Sequence, residues 1–207
     1  MTLAYVFWHQ PRSGVDPAGY ESGMQRFHQR LKAVPVPGFV DSWTLRVPDL
    51  PWLAGGGYED WYLVDDFTAL GVLAEHAVDR ARTESHDAVA RASGRGAGAV
   101  YALVAGESGA SGESGESGDS GAPREPGESG GTASRSGWVG WFSKRDDVRY
   151  PQLRTGLTQL IVDGAVRSVW QRQLVLGPGP EFRVLGDGPV AVGGADLTVA
   201  TAVVMSG

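Results

Sequence analysis

Residues 106–137 read GESGASGESGESGDSGAPREPGESGGTASRSG, an acidic glycine/serine tract in which an x-Ser-Gly triplet repeats five times in register from Glu107 to Gly121. No core can be built from it, because it has almost no apolar side chain to offset the entropy of ordering. It reads as a flexible linker dividing the 207-residue chain into patterned stretches of 1–105 and 138–207. A flexible tract of that length has ends on the order of 30 Å apart, comparable to the width of a small domain. The two stretches it joins are therefore expected to lie side by side.

Residues 1–105 read as strand, helix, strand, strand, helix, strand. In Leu3 to His9 the alternation puts Tyr5, Phe7 and His9 on one face and Val6 and Trp8 on the other. Asp16 followed by Pro17 signals a helix start, since the acid accepts orphan amides and proline has none to lose. Tyr20, Met24, Phe27, Leu31 and Val34 then recur at helical spacing until Pro35. Phe39 to Val47 and Tyr58 to Val64 are strands. Asp65 and Asp66 cap a second helix, with Phe67, Leu70, Ala74, Ala77 and Ala81 on its apolar side. Gly94, Gly96 and Gly98 are expected to end it before a fourth strand at Ala99 to Ala105.

After the tract the pattern restarts. Trp138 to Ser143 is an aromatic strand, Leu153, Leu157, Leu160 and Ile161 mark a helix, and Ser168 to Leu176, Phe182 to Leu185 and Leu197 to Met205 are strands. Between the last two, PVAVGGAD is too short and glycine-rich for a helix. With about 70 residues this part is at the size where one core rarely suffices, so it is expected to dock on the first.

The chain is 42% hydrophobic and 20% charged, a globular composition. No stretch exceeds 11 residues without Asp, Glu, Lys or Arg, whereas a bilayer helix needs about 20 apolar residues, so a membrane role is not expected. Cysteine is absent, which removes disulfides and thiolate chemistry. The N-terminus has neither a basic n-region nor a cleavage site, and the expected location is cytoplasmic. Of the net charge of −6, the tract contributes −4 (six acids against Arg124 and Arg135), leaving −2 for the rest and no basic run. Nucleic acid is not an expected partner.

Two strand-helix-strand-strand units with aromatic first strands resemble the dimeric alpha/beta barrel superfamily of ferredoxin-like proteins. The resemblance is architectural and covers the chain apart from the tract. It implies an α+β fold of tandem ferredoxin-like repeats forming one barrel, its second repeat degenerate, as a monomeric pseudo-dimer or a homodimer. It also implies a small-molecule ligand, since members include cofactor-free monooxygenases, isomerases and haem enzymes.

Among the motifs, GRGAGA (Gly94 to Ala99) fits a dinucleotide fingerprint but follows a helix and enters a strand, the reverse of the required order. GESGG (Gly127 to Gly131) fits a nucleophile elbow but lies in the tract. The four histidines, His9, His28, His76 and His86, show no H-x-x-x-H pairing, so no metal site is expected. His76 falls opposite Phe67 on its helix and is expected in solvent. His28 lies at the edge of the first helix's apolar face. His9 and His28 are the candidate catalytic groups, approaching one pocket from sheet and helix. Tyr5, Trp43, Tyr62 and Tyr101 are the candidate substrate-binding wall, since tyrosine and tryptophan pair an apolar body with a hydrogen-bonding tip. Polar strand residues Asp41, Thr44, Arg46, Glu59, Asp60, Arg167, Gln171 and Gln173 would be costly if buried unpaired, and any that prove buried join the candidates.

The expected function is a small-molecule enzyme, a cofactor-independent oxygenase or isomerase-like tailoring enzyme on an aromatic or polyketide-like substrate. The alternatives are a non-catalytic binding or interaction module, and a haem enzyme using a histidine of the first repeat.

Overall fold

The structure is a computed structural model, and it describes residues 1–77, 80–108, 136–175, 177 and 179–205. Most of the Gly/Ser/Glu tract, including the GESGG motif, lies outside the described residues. The elements are β1 (Leu3–Pro11), α1 (Pro17–Ala33), β2 (Phe39–Val47), β3 (Gly57–Val64), α2 (Phe67–Ala77), α3 (Arg80–Ala92), β4 (Ser93–Gly106), β5 (Ser136–Lys144), α4 (Tyr150–Val162), β6 (Ser168–Val175), β7 (Phe182–Gly186) and β8 (Ala195–Met205). The strands close into a barrel in the order β1-β3-β2-β8-β5-β7-β6-β4. Every neighbouring pair is antiparallel.

Within each set of four strands the spatial order is fourth, first, third, second, which is the ferredoxin-like arrangement. The sets meet where β2 pairs with β8 and β4 pairs with β6. Residues 187–194 join β7 to β8 without a helix.

Period-two alternation gives each strand one face inside the barrel and one beneath a helix. Trp8, Trp43, Trp61, Tyr101, Trp141 and Trp170 line the interior. Leu3, Val64 and Val100 face outward and pack with Leu31 of α1 and Leu73 of α2. Helix α1 starts as its residues dictate: Asp16 accepts the Gly19 amide at 2.8 Å, and Tyr20, Met24, Phe27, His28 and Leu31 are buried. Val34, counted in the apolar face by spacing, is the C-cap and 45% exposed, because Pro35 has already ended the helix.

Two expectations are corrected. Asp66 caps α2 through the Ala69 amide at 2.8 Å, but the buried side of that helix carries Ala69 and Leu73, while Phe67 is 50% exposed. Ala69 packs tightly against the Gly38 backbone, where an added Cβ would lie 2.4 Å from the Ala69 methyl. His76 is accordingly part-buried instead of facing solvent. The second correction is that Gly94, Gly96 and Gly98 do not precede the fourth strand but lie within it, so GRGAGA is strand and not a phosphate-binding turn. Their lack of side chains has a use there. A Cβ on Gly96 would come within 2.4 Å of the Phe7 ring, and one on Gly98 within 2.9 Å of the Tyr5 hydroxyl. The rings of Tyr5 and Phe7 lie over the bare backbone of β4.

Candidate functional site

Adjacent acids in the middle of a strand must go to opposite faces, and β3 carries Glu59 and Asp60 side by side. Glu59 points into the barrel and Asp60 points out beneath α1, and both are buried. The partner strand β1 delivers His9 to the same outer face as Asp60, and α1 delivers His28 from above.

Asp60 is the hub of that face. His9 Nε2 lies 3.1 Å from its Oδ2 and His28 Nε2 lies 3.5 Å from its Oδ1. The Thr44 hydroxyl donates to Oδ1 at 2.6 Å and the Tyr62 phenol donates to Oδ2 at 3.1 Å. Because the one Thr44 proton goes to Asp60, the Thr44 oxygen accepts from His28 Nε2–H at 2.9 Å, which fixes a proton on that nitrogen. His28 Nδ1 pairs with the Ser42 hydroxyl at 2.8 Å. His9 Nδ1 meets the Tyr20 hydroxyl at 2.6 Å, and Tyr20 meets Ser93 at 2.7 Å. The contact from His9 Nε2 to Asp60 has the length of an ion pair, but the ring N–H is not in line with the carboxylate, and this nitrogen has no aligned hydrogen-bond partner.

Burial alone would raise the Asp60 carboxyl, but the charge of His9 and the contact with His28 outweigh it and hold the group well below the ordinary carboxylate range. Asp60 is therefore a carboxylate at neutral pH. Its charge acts on the phenols around it. Burial, reinforced by Asp60, pushes Tyr62 well above its ordinary value and raises Tyr5. Burial pushes Tyr20 up to about 12. These phenols keep their protons at neutral pH.

Tyr5, Phe7 and Tyr62 are partly exposed and form the accessible wall of the cluster. Tyr5 lies 6.3 Å from Phe7 and 5.9 Å from Tyr62, with ring planes within 21° and 26° of each other. Tyr62 also stacks on His28 at 5.3 Å. The wall offers nearly parallel aromatic rings with hydroxyls on Tyr5 and Tyr62.

Of the residues singled out in the sequence, His9, His28, Tyr5 and Tyr62 are brought together here. Trp43 and Tyr101 are not: both face the barrel interior, where Trp43 stacks on Trp61 at 5.5 Å and the Tyr101 hydroxyl donates to the Pro180 carbonyl at 2.6 Å. The physical reason is register, since Trp43 pairs with Trp61 and Tyr101 pairs with Ala4, whose side chains point inward. Thr44, Glu59 and Asp60, flagged as polar strand residues, prove buried. Ser42, Tyr20 and Ser93 gave no chemical signal, because a lone hydroxyl in a strand or helix looks like any other.

Two histidines and a carboxylate are also the ingredients of a metal triad, but here the three are turned on one another and on Ser42, Thr44 and Tyr20. Among the described residues no three such side chains stand in metal-holding geometry. His9 and His28 do not fit a haem-ligand role either, since both are buried, His28 has its ring nitrogens on Ser42 and Thr44, and His9 Nε2 lies 3.1 Å from Asp60.

No family model matches the chain, and no curated protein matches it in sequence. Solved structures match in fold. A candidate monooxygenase from Lactobacillus acidophilus superposes with a TM-score of 0.55 at 6% identity, over 98% of this chain and 93% of its own. The chain is a ferredoxin-like α+β barrel. A candidate monooxygenase from Fusobacterium nucleatum gives a TM-score of 0.55 at 9% identity, covering 89% of this chain and 74% of its own. An anthrone oxidase-like protein gives 0.50 at 10% identity, covering 99% and 91%. At these identities the likeness is one of fold, and the barrel's chemistry rests on its own residues. No described helix is long and apolar enough to cross a membrane.

Proposed function

We propose that the outer-face cluster is the substrate-activating centre of a small-molecule enzyme of the oxygenase or isomerase type, acting on a flat hydroxylated aromatic molecule without a tightly held cofactor. The observation that carries this reading is that Tyr62, a partly exposed residue, donates its phenol proton to a fully ionised, buried Asp60. Tyr62 has one proton and directs it inward, so its oxygen is left to accept a hydrogen bond from a substrate hydroxyl. The Asp60 charge makes that oxygen a better acceptor: as a substrate proton moves onto the Tyr62 oxygen, the Tyr62 proton moves onto Asp60, which leaves the substrate in its electron-rich phenolate or enolate form until the relay runs back. An isomerase returns the proton at another carbon. An oxygenase passes the carbanion form to dioxygen, and a CH2 group becomes a carbonyl with release of one water. In both, Tyr5 and Phe7 stack on the substrate ring, while His9 and His28 are positioning residues that keep Asp60 ionised and in place.

The test is dioxygen uptake, and product analysis by mass spectrometry, with a panel of hydroxylated two- and three-ring aromatics. Tyr62→Phe is expected to lower kcat by about 100-fold with little change in thermal stability. Turnover that survives Tyr62→Phe unchanged would refute the assignment. The second reading, a non-catalytic binding module, is favoured by one observation: neither imidazole reaches the surface. Saturable binding to the same panel with no product would decide for it.

A further inference from the structure

Inside the barrel a second cluster is built on charges. Glu59 accepts the indole N–H of Trp8 at 2.6 Å, of Trp61 at 2.6 Å and of Trp141 at 2.8 Å. Three neutral donors from β1, β3 and β5 thus satisfy a carboxylate that is 0% exposed. Arg183 of β7 lies beside it, with Nε 2.9 Å from Glu59 Oε1 and the guanidinium 3.9 Å over the Trp61 ring. Arg183 is 1% exposed, yet among the described residues none of Nε, Nη1 and Nη2 has an acceptor in line, even though Nε is within ion-pair distance of Glu59. The guanidinium touches its counter-ion without spending its hydrogen bonds on it.

A buried guanidinium whose two Nη groups have no acceptor is costly, and its planar fork matches two oxygens of a planar acceptor. Glu59 does not take that role, because it meets the guanidinium at Nε and leaves Nη1 and Nη2 without an acceptor. We infer that Arg183 marks a second binding site, inside the barrel and separate from the outer-face cluster, for a small planar oxyanion of the carboxylate, nitrate or bicarbonate class. The three indole donors hold the Glu59 carboxylate at the Nε side of the guanidinium, so a monoanion would be met by the Nη groups. Trp61, in contact with the guanidinium, is the built-in reporter.

The experiment titrates the full chain with acetate, nitrate and bicarbonate as sodium salts, against sodium chloride at constant ionic strength. Tryptophan emission and the thermal midpoint are both recorded. The expected result is a saturable emission change, with the midpoint raised by about 5 °C or more at a hundredfold excess over Kd, and loss of both in Arg183→Met. Because that variant leaves Glu59 without its cation and can fail to fold, the double variant Glu59→Gln with Arg183→Met removes both charges and serves as the folded control, also expected not to respond. The inference is overturned if none of the three anions gives a saturable response in the wild-type chain, which would mean that water alone meets the guanidinium. A response that persists in the double variant overturns it as well.

Discussion

His9 and His28 contact opposite oxygens of the same Asp60 carboxylate, at 3.1 Å from β1 and 3.5 Å from α1. The two imidazoles reach the carboxylate from different layers of the fold, so the helix and the sheet are tied together through one charge. That charge is 4% exposed and depends on its neighbours to remain ionised.

Asp60→Asn is expected to destabilise the fold by about 3–5 kcal/mol, the usual cost of breaking a buried charge pair from one side. The folded pKa of Asp60 is depressed below its ordinary 3.8. Its contribution is therefore complete above that value and is lost as pH falls through the range between the two. In urea titrations the stability gap between wild type and variant should shrink below pH 4 by about 1.4 kcal/mol per pH unit. A gap that stays constant from pH 4 to pH 2 would show that Asp60 is not held ionised by the cluster.

Gly98→Ala tests the aromatic wall. The new methyl would meet the Tyr5 ring at 2.9–3.3 Å, at the far end of that side chain, so the ring can tip away at modest cost. A stability loss of about 1 kcal/mol is expected, at the low end for overpacking. Affinity for aromatic ligands should fall further, by about tenfold, because a tilted Tyr5 no longer continues the plane shared with Phe7 and Tyr62. Unchanged ligand affinity, read by fluorescence titration, would remove Tyr5 from the site.

Much of this arrangement is legible in the sequence where periodicity governs it. The alternation of Tyr5, Phe7 and His9 against Val6 and Trp8 survives intact, and so do the Tyr20, Met24, Phe27 and Leu31 face of α1 and its Asp16 cap. What stays hidden depends on pairing between strands. Trp43 and Tyr101 are assigned to the wrong face because alternation says which residues share a face and not which face points inward. Asp60 is visible only as one of several polar strand residues, since nothing local says that it pairs with Phe7 and so lies on the diagonal from His9. The neighbouring acids Glu59 and Asp60 do hold a usable signal: two consecutive carboxylates amid aromatics in a strand imply one buried charge on each face. Phe67 misleads for a different reason. It is the first residue of α2, whose buried side is Ala69 and Leu73, with Ala69 close against the backbone of residue 38.

Glu59→Gln should destabilise the protein by about 3–5 kcal/mol, since it leaves Arg183 buried without a counter-ion. Replacing the pair with Glu59→Gln and Arg183→Met should recover most of that loss. Thermal or urea unfolding of the single and double variants forms a cycle, and the expected coupling energy exceeds 1 kcal/mol. Additive effects would mean that the 2.9 Å contact between the two side chains carries no net interaction.

The last prediction concerns the C-terminal set of strands alone. In the full chain β8 is paired on one side with β5 and on the other with β2 through Thr44, Leu45 and Arg46, and β6 is paired with β4 from Ala99 to Gly106. A fragment of residues 138–207 loses both partners and presents two unpaired sheet edges. Its inner face loses more, because Trp141 and Trp170 rest on Trp52 and Trp61, at 6.0 and 5.2 Å, and Arg183 rests on Glu59. An apolar face that carries an unpaired cation cannot remain in water as a stable surface, and α4 covers only the opposite side of the sheet. The fragment is therefore expected to show no cooperative thermal transition as a monomer and to self-associate when concentrated, in line with the small core available to about 70 residues. Sedimentation and circular dichroism at several concentrations check both points. A monomeric fragment with a sharp, concentration-independent melt would show that the barrel consists of two autonomous sheets, and not of one core shared across the joins of β2 with β8 and β4 with β6.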